Sequence, residues 1–167
     1  MLRRRDVLLA GASALALLAA VRYGLMAPAP SAAAAEAFEV AHSDAEWRQL
    51  LTPAQYDVLR QSGTERPFSS PLDFERRAGT YACAGCALAL FSSATKYDSH
   101  TGWPSFWKPL DDAVGTTQDR SFGTTRTAVH CRRCGGHLGH VFDDGPDPTG
   151  LRYCMNGVVL SFAPKAA

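Results

Sequence analysis

Five cysteines carry most of the chemistry in this 167-residue chain. Four fall in two C-x-x-C pairs, Cys83/Cys86 and Cys131/Cys134, and the fifth, Cys154, stands alone in Arg-Tyr-Cys-Met-Asn. Four thiolates in two such pairs are what one structural zinc ion takes, and a closed tetrahedral shell leaves no open position for chemistry. Cys154 is then the thiol free to act as a nucleophile. If residues 152–156 form a strand, Arg152, Cys154 and Asn156 share one face. A cation that favours thiolate and an amide donor would then stand beside the sulfur. A buried, inert cysteine fits less well with two polar neighbours on its own face.

Two other segments could do chemistry. His137 and His140 lie three residues apart in Gly-His-Leu-Gly-His-Val-Phe-Asp-Asp-Gly. They could ligate a metal or handle protons; with zinc already satisfied by four cysteines, proton handling is favoured. In an extended run they point to opposite faces, one toward the site and the other into structure. Gly-Trp-Pro-Ser-Phe-Trp at 102–107 sets two indoles and a phenyl ring around a proline. It is either a buried corner of the core or an apolar cage for a small methyl or thioether group, which aromatic rings bind well. His42 and His130 read as structural or exposed.

The elements that must position these residues are short. Ser43-Asp-Ala-Glu46 is a capping box that opens a helix through Leu51. Thr52-Pro53 starts a second helix that stops at Gly63. Trp47, Leu50 and Leu51 are expected in the core. From residue 80 the texture changes to β-type runs separated by Gly, Asp, Ser and Pro: 80–83, 87–91, 113–117, 124–131, 138–142 and 153–162. This predicts a mainly β fold of two small antiparallel sheets after short N-terminal helices, with the zinc joining two hairpin turns. The knuckles are far apart: 44 residues lie between Cys86 and Cys131. That insert should carry function.

The N-terminus predicts export. Arg3-Arg4-Arg5 precedes an apolar run from residue 7 to 21, of signal-sequence length and short for a membrane span. Arg4-Arg5-Asp6-Val7-Leu8 has the form of a twin-arginine signal. Small-residue cleavage sites and an Ala/Pro-rich linker follow, so residues 1–37 are expected to be signal and linker and 38–167 the working domain. A periplasmic location follows; an uncleaved N-terminal membrane anchor is the alternative. In an oxidising compartment the C-x-x-C pairs could instead be disulfides, but a chain exported folded can load metal first. The formal charge of +1 becomes −2 once residues 1–35 are set aside. A weakly acidic body argues against a nucleic-acid partner. A monomer is expected.

Taken together, residues 43–164 resemble the B-type peptide-methionine sulfoxide reductases. The resemblance rests on the paired knuckles, Gly-Trp-Pro-Ser-Phe, Gly-His-Leu-Gly-His-Val-Phe-Asp-Asp-Gly-Pro and Arg-Tyr-Cys-x-Asn. It implies a β-tent fold related to zinc ribbons, and reduction of the R epimer of methionine sulfoxide in peptides or proteins. It implies Cys154 as nucleophile, with Trp103 against the sulfoxide methyl group and Phe142 beside it. His137, His140 and Asn156 would surround the sulfoxide oxygen, and Asp144 and Arg152 would support them electrostatically. Cys83, Cys86, Cys131 and Cys134 would hold the zinc. One position departs from the family pattern. Many members carry a second, resolving cysteine just before Gly-Trp-Pro-Ser-Phe, where this chain has Thr101. A one-cysteine mechanism is therefore expected, with the Cys154 sulfenic acid reduced by an external thiol. A thiol–disulfide oxidoreductase using one C-x-x-C would need a βαβ pattern that the chain lacks. A zinc-ribbon-like binding module would be indifferent to Cys154.

Overall fold

In a computed structural model that describes residues 38–166, two short helices precede two antiparallel sheets. The predicted signal and linker at 1–37 lie outside the described residues. Helix α1 (Asp44–Leu50) and helix α2 (Pro53–Gln61) each open on the predicted capping box: Ser43 with Glu46, and Thr52 with Gln55. Trp47 and Leu51 are buried as expected. Leu50 is 60% exposed, because it falls on the outer side of α1. Helix α2 stops where Ser62, not Gly63, takes the left-handed conformation (φ 57°).

The smaller sheet has the order β2-β1-β9, from β1 (Gly79–Cys83), β2 (Ala89–Ser92) and β9 (Leu160–Pro164). The larger has the order β3-β4-β8-β7-β6-β5. Its strands are β3 (Lys96–Tyr97), β4 (Ser105–Phe106), β5 (Val114–Asp119), β6 (Arg126–Cys131), β7 (His137–Phe142) and β8 (Arg152–Met155). The predicted run 153–162 is thus two strands in two different sheets. Between them, Gly157–Val159 forms a 3-10 turn. Glu65 holds this turn: its carboxylate oxygens accept from the Gly157 and Val158 amides at 2.5 and 2.9 Å.

The core fills the space between the sheets. Phe91 of β2 stacks on Phe106 of β4 at 4.4 Å between ring centroids, and Tyr81 of β1 meets Phe106 edge-on at 5.0 Å. All three side chains are fully buried, and each phenylalanine contributes about 1.5–3 kcal/mol by burial. Helix α2 lies against β7 and the 3-10 turn.

Candidate active site and metal centre

The two C-x-x-C pairs sit in matching turns. In the first, the Ala87 amide donates to Cys83 O (2.8 Å) and the Cys83 amide to Leu88 O (2.8 Å); in the second, Gly135 donates to Cys131 O (2.9 Å) and Cys131 to Gly136 O (2.9 Å). The residue four beyond the first cysteine is left-handed in both, Ala87 at φ 58° and Gly135 at φ 68°. At Gly135 a side chain is also barred by space, since a Cβ would meet the Phe38 ring at 2.3 Å. The first turn joins β1 to β2 and the second joins β6 to β7, so the cluster ties the two sheets together. All four Sγ atoms lie within 4.8 Å of one another. Cys83–Cys134 is 3.8 Å and Cys86–Cys131 is 3.4 Å. Sulfurs around a tetrahedral zinc at its usual bond length stand about 3.8 Å apart. The donor set and its spacing therefore fit one metal ion.

Cys154 lies elsewhere, midway along β8. Ser105 of β4 is directly opposite it on one side and His140 of β7 on the other. With Trp103, Phe142, Arg126, Asn156, Gly139 and Thr64, Cys154 and His140 line a cleft of about 120 Å³. The aromatic segment at 102–107 divides. Phe106 is core, whereas the half-buried Trp103 faces the cleft, its indole N–H donating to Glu65 O at 3.2 Å.

His137 and His140 share a face, contrary to the expectation from simple alternation. The β6–β7 register runs Ala128↔His140 and Val129↔Gly139, then jumps to His130↔His137. This bulge leaves Leu138 as an extra residue, which brings both imidazoles to one side with ring centroids 5.3 Å apart. Gly139 is needed there for close approach: a Cβ would meet Cys154 O at 2.1 Å. His137 is 8% exposed, and its Nε2 has no hydrogen-bond partner among the described residues. Burial, aided by His140, lowers its pKa to about 4, so it is neutral at pH 7.

Around the thiol, burial pushes the Cys154 pKa up, opposed by Arg152 and then by hydrogen bonds from Thr101 and Ser105. The cation expected beside the thiol is present, but burial outweighs it. Arg152 makes a two-pronged ion pair with Asp144, both bonds at 2.8 Å, and its guanidinium lies 4.4 Å over the Phe142 ring. Asp144 itself is 60% exposed and stands behind Arg152 rather than in the cleft. Asn156 is held on both ends: its Nδ2 donates to Leu138 O (3.0 Å) and its Oδ1 accepts from the Glu65 amide (2.9 Å). Thr101 Oγ1 is 4.0 Å from Cys154 Sγ, and Thr101, Ser99 and Ser105 form a chain of hydroxyls with links of 2.8 and 2.7 Å.

Sequence reasoning missed three residues. Glu65 anchors Trp103, Asn156 and the 3-10 turn together. Asp119, at the end of β5, contacts His140 Nε2 at 2.8 Å, and Arg126 donates to the same carboxylate at 2.7 Å. None of the three lies in a motif; only the folded register brings them in.

Residues 51–164 match the SelR domain family. The chain is 57% identical over 121 residues to the peptide methionine sulfoxide reductase MsrB of Pseudomonas putida (strain W619), a match covering 72% of this chain and 91% of that protein. It is 55% identical over 126 residues to the MsrB of Leptospira interrogans, covering 75% and 96%. It is 55% identical over 124 residues to that of Methanosarcina barkeri, covering 74% and 87%. Such identity across nearly the whole of each relative, on a cleft that sets a lone thiol beside an indole and an imidazole, has one meaning: the chain belongs to the MsrB family of methionine sulfoxide reductases.

Proposed function

We propose that the protein reduces the R epimer of methionine sulfoxide in peptides and proteins by a one-cysteine mechanism. The observation that carries this reading is the surroundings of Cys154: a thiol facing an apolar cleft, with threonine where a partnering cysteine would have to stand. The methyl group of the substrate packs on Trp103, with Phe142 closing the other wall. Cys154 sulfur attacks the electrophilic sulfoxide sulfur. Its own proton passes through His140 to the sulfoxide oxygen, which moves to Cys154. Methionine leaves and Cys154 remains as sulfenic acid. His137 and His140 bear on the developing charge at oxygen, Asn156 holds the floor of the site, and Arg152, fixed by Asp144, favours the thiolate. One external thiol then forms a mixed disulfide with release of water, and a second thiol releases Cys154.

Cys83, Cys86, Cys131 and Cys134 hold a structural zinc ion, which supplies folding energy and no step of the reaction. Residues 1–37 are a twin-arginine-type signal and linker that send residues 38–167 to the periplasm as a monomer. Retention of that segment as a membrane anchor would be seen as unchanged mass after export.

The test gives the purified protein a peptide carrying both sulfoxide epimers and a thiol reductant, with Cys154→Ser alongside. Loss of the R epimer alone, absent in the variant, is the expected result. In a single turnover without reductant, a sulfenic-acid trap should mark Cys154. Loss of both epimers, or an intramolecular disulfide at Cys154, would overturn the reading.

A further inference from the structure

We propose that Asp119 is a positioning residue that fixes His140 as its Nε2–H tautomer, leaving Nδ1 as the ring's proton acceptor. The inference rests on the reading of Cys154 as nucleophile, and it concerns how that nucleophile loses its proton.

The geometry comes from one face of the larger sheet. Thr117, Ala128, His140, Cys154 and Ser105 stand in a row across five strands. Asp119, two residues beyond Thr117, is on the same face. Ala128 is the gap in that row. Its methyl leaves room for the His140 ring to pass over β6 and reach the Asp119 carboxylate on β5. There Nε2 is 2.8 Å from Asp119 Oδ2. The other groups facing His140 are His137 on its own strand, Arg126 on β6, and Cys154 and Arg152 on β8.

The carboxylate has no hydrogen to give. Ser121 first, then His140 and Arg126, hold Asp119 well below the usual carboxylate range. Ionised, it only accepts. The Ser121 amide donates to Oδ1 at 2.8 Å, and Arg126 donates to Oδ2 at 2.7 Å. The contact at Nε2 therefore requires the imidazole proton on Nε2. In the neutral ring, Nδ1 then carries the lone pair, on a residue directly opposite Cys154. In the step this serves, the Cys154 proton moves to Nδ1 as sulfur attacks. The imidazolium, stabilised by Asp119, returns that proton to the sulfoxide oxygen. The thiol proton ends on the sulfenic acid oxygen, and no further reactant is needed.

Asp119→Asn tests this sharply. The Ser121 amide must still have an acceptor, so the amide oxygen stays at the Oδ1 place and the NH2 group takes the Oδ2 place, where Arg126 gives up its contact and keeps the one to Ser121 Oγ at 3.2 Å. A donor then faces Nε2, and the ring should switch to its Nδ1–H tautomer, which cannot take the thiol proton. The turn at Ser121 is kept, so the fold should survive.

The experiment is nitrogen NMR of the full-length, zinc-loaded protein with labelled histidine at about pH 8, above the ordinary range for imidazole. His140→Gln assigns the signal. Wild type should show Nε2–H and Asp119→Asn should show Nδ1–H. In kinetics on the sulfoxide peptide, Asp119→Asn should lower kcat by about 100-fold, the lower end of what proton handling contributes, with little change in KM. Asp119→Glu, which keeps an ionised acceptor, should hold the Nε2–H tautomer and recover part of kcat. A wild-type ring with Nδ1–H, or with both protons, would overturn the proposal, as would an Asp119→Asn enzyme with wild-type kcat. If Asp119→Asn does not fold, the wild-type and Asp119→Glu tautomers decide. If the wild type does not turn over at all, the proposed function fails, while the tautomer still decides the role of Asp119.

Discussion

The chain uses the same side chain in two opposite ways. At the cluster, four thiols sit at two hairpin turns and point at one another, spaced to hold one metal ion. At the cleft, a single thiol sits in mid-strand and faces empty apolar space, with hydroxyls and a guanidinium at its edge. The first arrangement removes every sulfur from chemistry. The second isolates one sulfur so that its partner must come from outside. What differs is the backbone: turn amides bring cysteines together, whereas strand alternation keeps Cys154 from any second thiol.

The largest expected effect separates the two regions. Cys131→Ser removes one of the four sulfurs proposed to hold zinc and leaves three thiols around an incomplete shell. Structural zinc supplies folding free energy of about 10 kcal/mol or more, comparable with the whole stability of a domain this size. Loss of cooperative thermal unfolding is expected. Cys154→Ser should keep the wild-type Tm and lose all sulfoxide reduction. Equal loss of stability in both variants would erase the distinction.

The next prediction moves the cleft toward the cluster. Thr101 Oγ1 is already 4.0 Å from Cys154 Sγ, so Thr101→Cys places a second sulfur within reach after a side-chain rotation. After one turnover without reductant, mass spectrometry should find a disulfide between positions 101 and 154, where wild type carries a trapped sulfenic acid.

A smaller effect concerns the edge of the cleft. Arg152→Gln removes the cation that opposes burial, so the thiol pKa rises further. At fixed pH the thiolate fraction shrinks, and the rate of Cys154 alkylation should fall several-fold. An unchanged rate would mean that burial and the hydroxyls alone set the thiol.

The smallest is a pH slope. His137 has its folded pKa depressed to about 4 by burial, against about 6.5 in the unfolded chain. Unfolding therefore takes up a proton between those values. The stability from keeping His137 neutral is complete above pH 6.5 and drains away as pH falls toward 4. The Tm of His137→Gln should depend less steeply on pH than that of wild type in this window. Parallel slopes would contradict the burial argument.

The cluster was legible in the sequence because its geometry is local: two C-x-x-C turns fix where each pair of sulfurs points. Both helices were legible for the same reason, through their capping boxes. The cleft was legible in its membership but not in its arrangement. The shared face of His137 and His140 depends on a bulge next to Gly139, where the backbone of Cys154 comes too close for a side chain. The break between β8 and β9 depends on a carboxylate 92 residues away in the chain. Asp119 reaches His140 only because Ala128 is small, a fact about a third strand. Alternation and turn signals carry no record of such contacts.

The separation of the two knuckles has a consequence for how loss of metal would be felt. An ion that joins Cys86 to Cys131 closes a ring of chain, and a cross-link across 44 residues restricts the unfolded ensemble by about 4 kcal/mol on a polymer estimate. Trp103, Thr101, Ser105 and Asp119 lie inside that ring; Cys154, His137 and His140 lie outside it. Stripping the ion therefore frees the unfolded chain most across the segment that carries the substrate-gripping residues. Cys154 lies outside the ring but depends on the same fold, so its cleft is lost along with the ion.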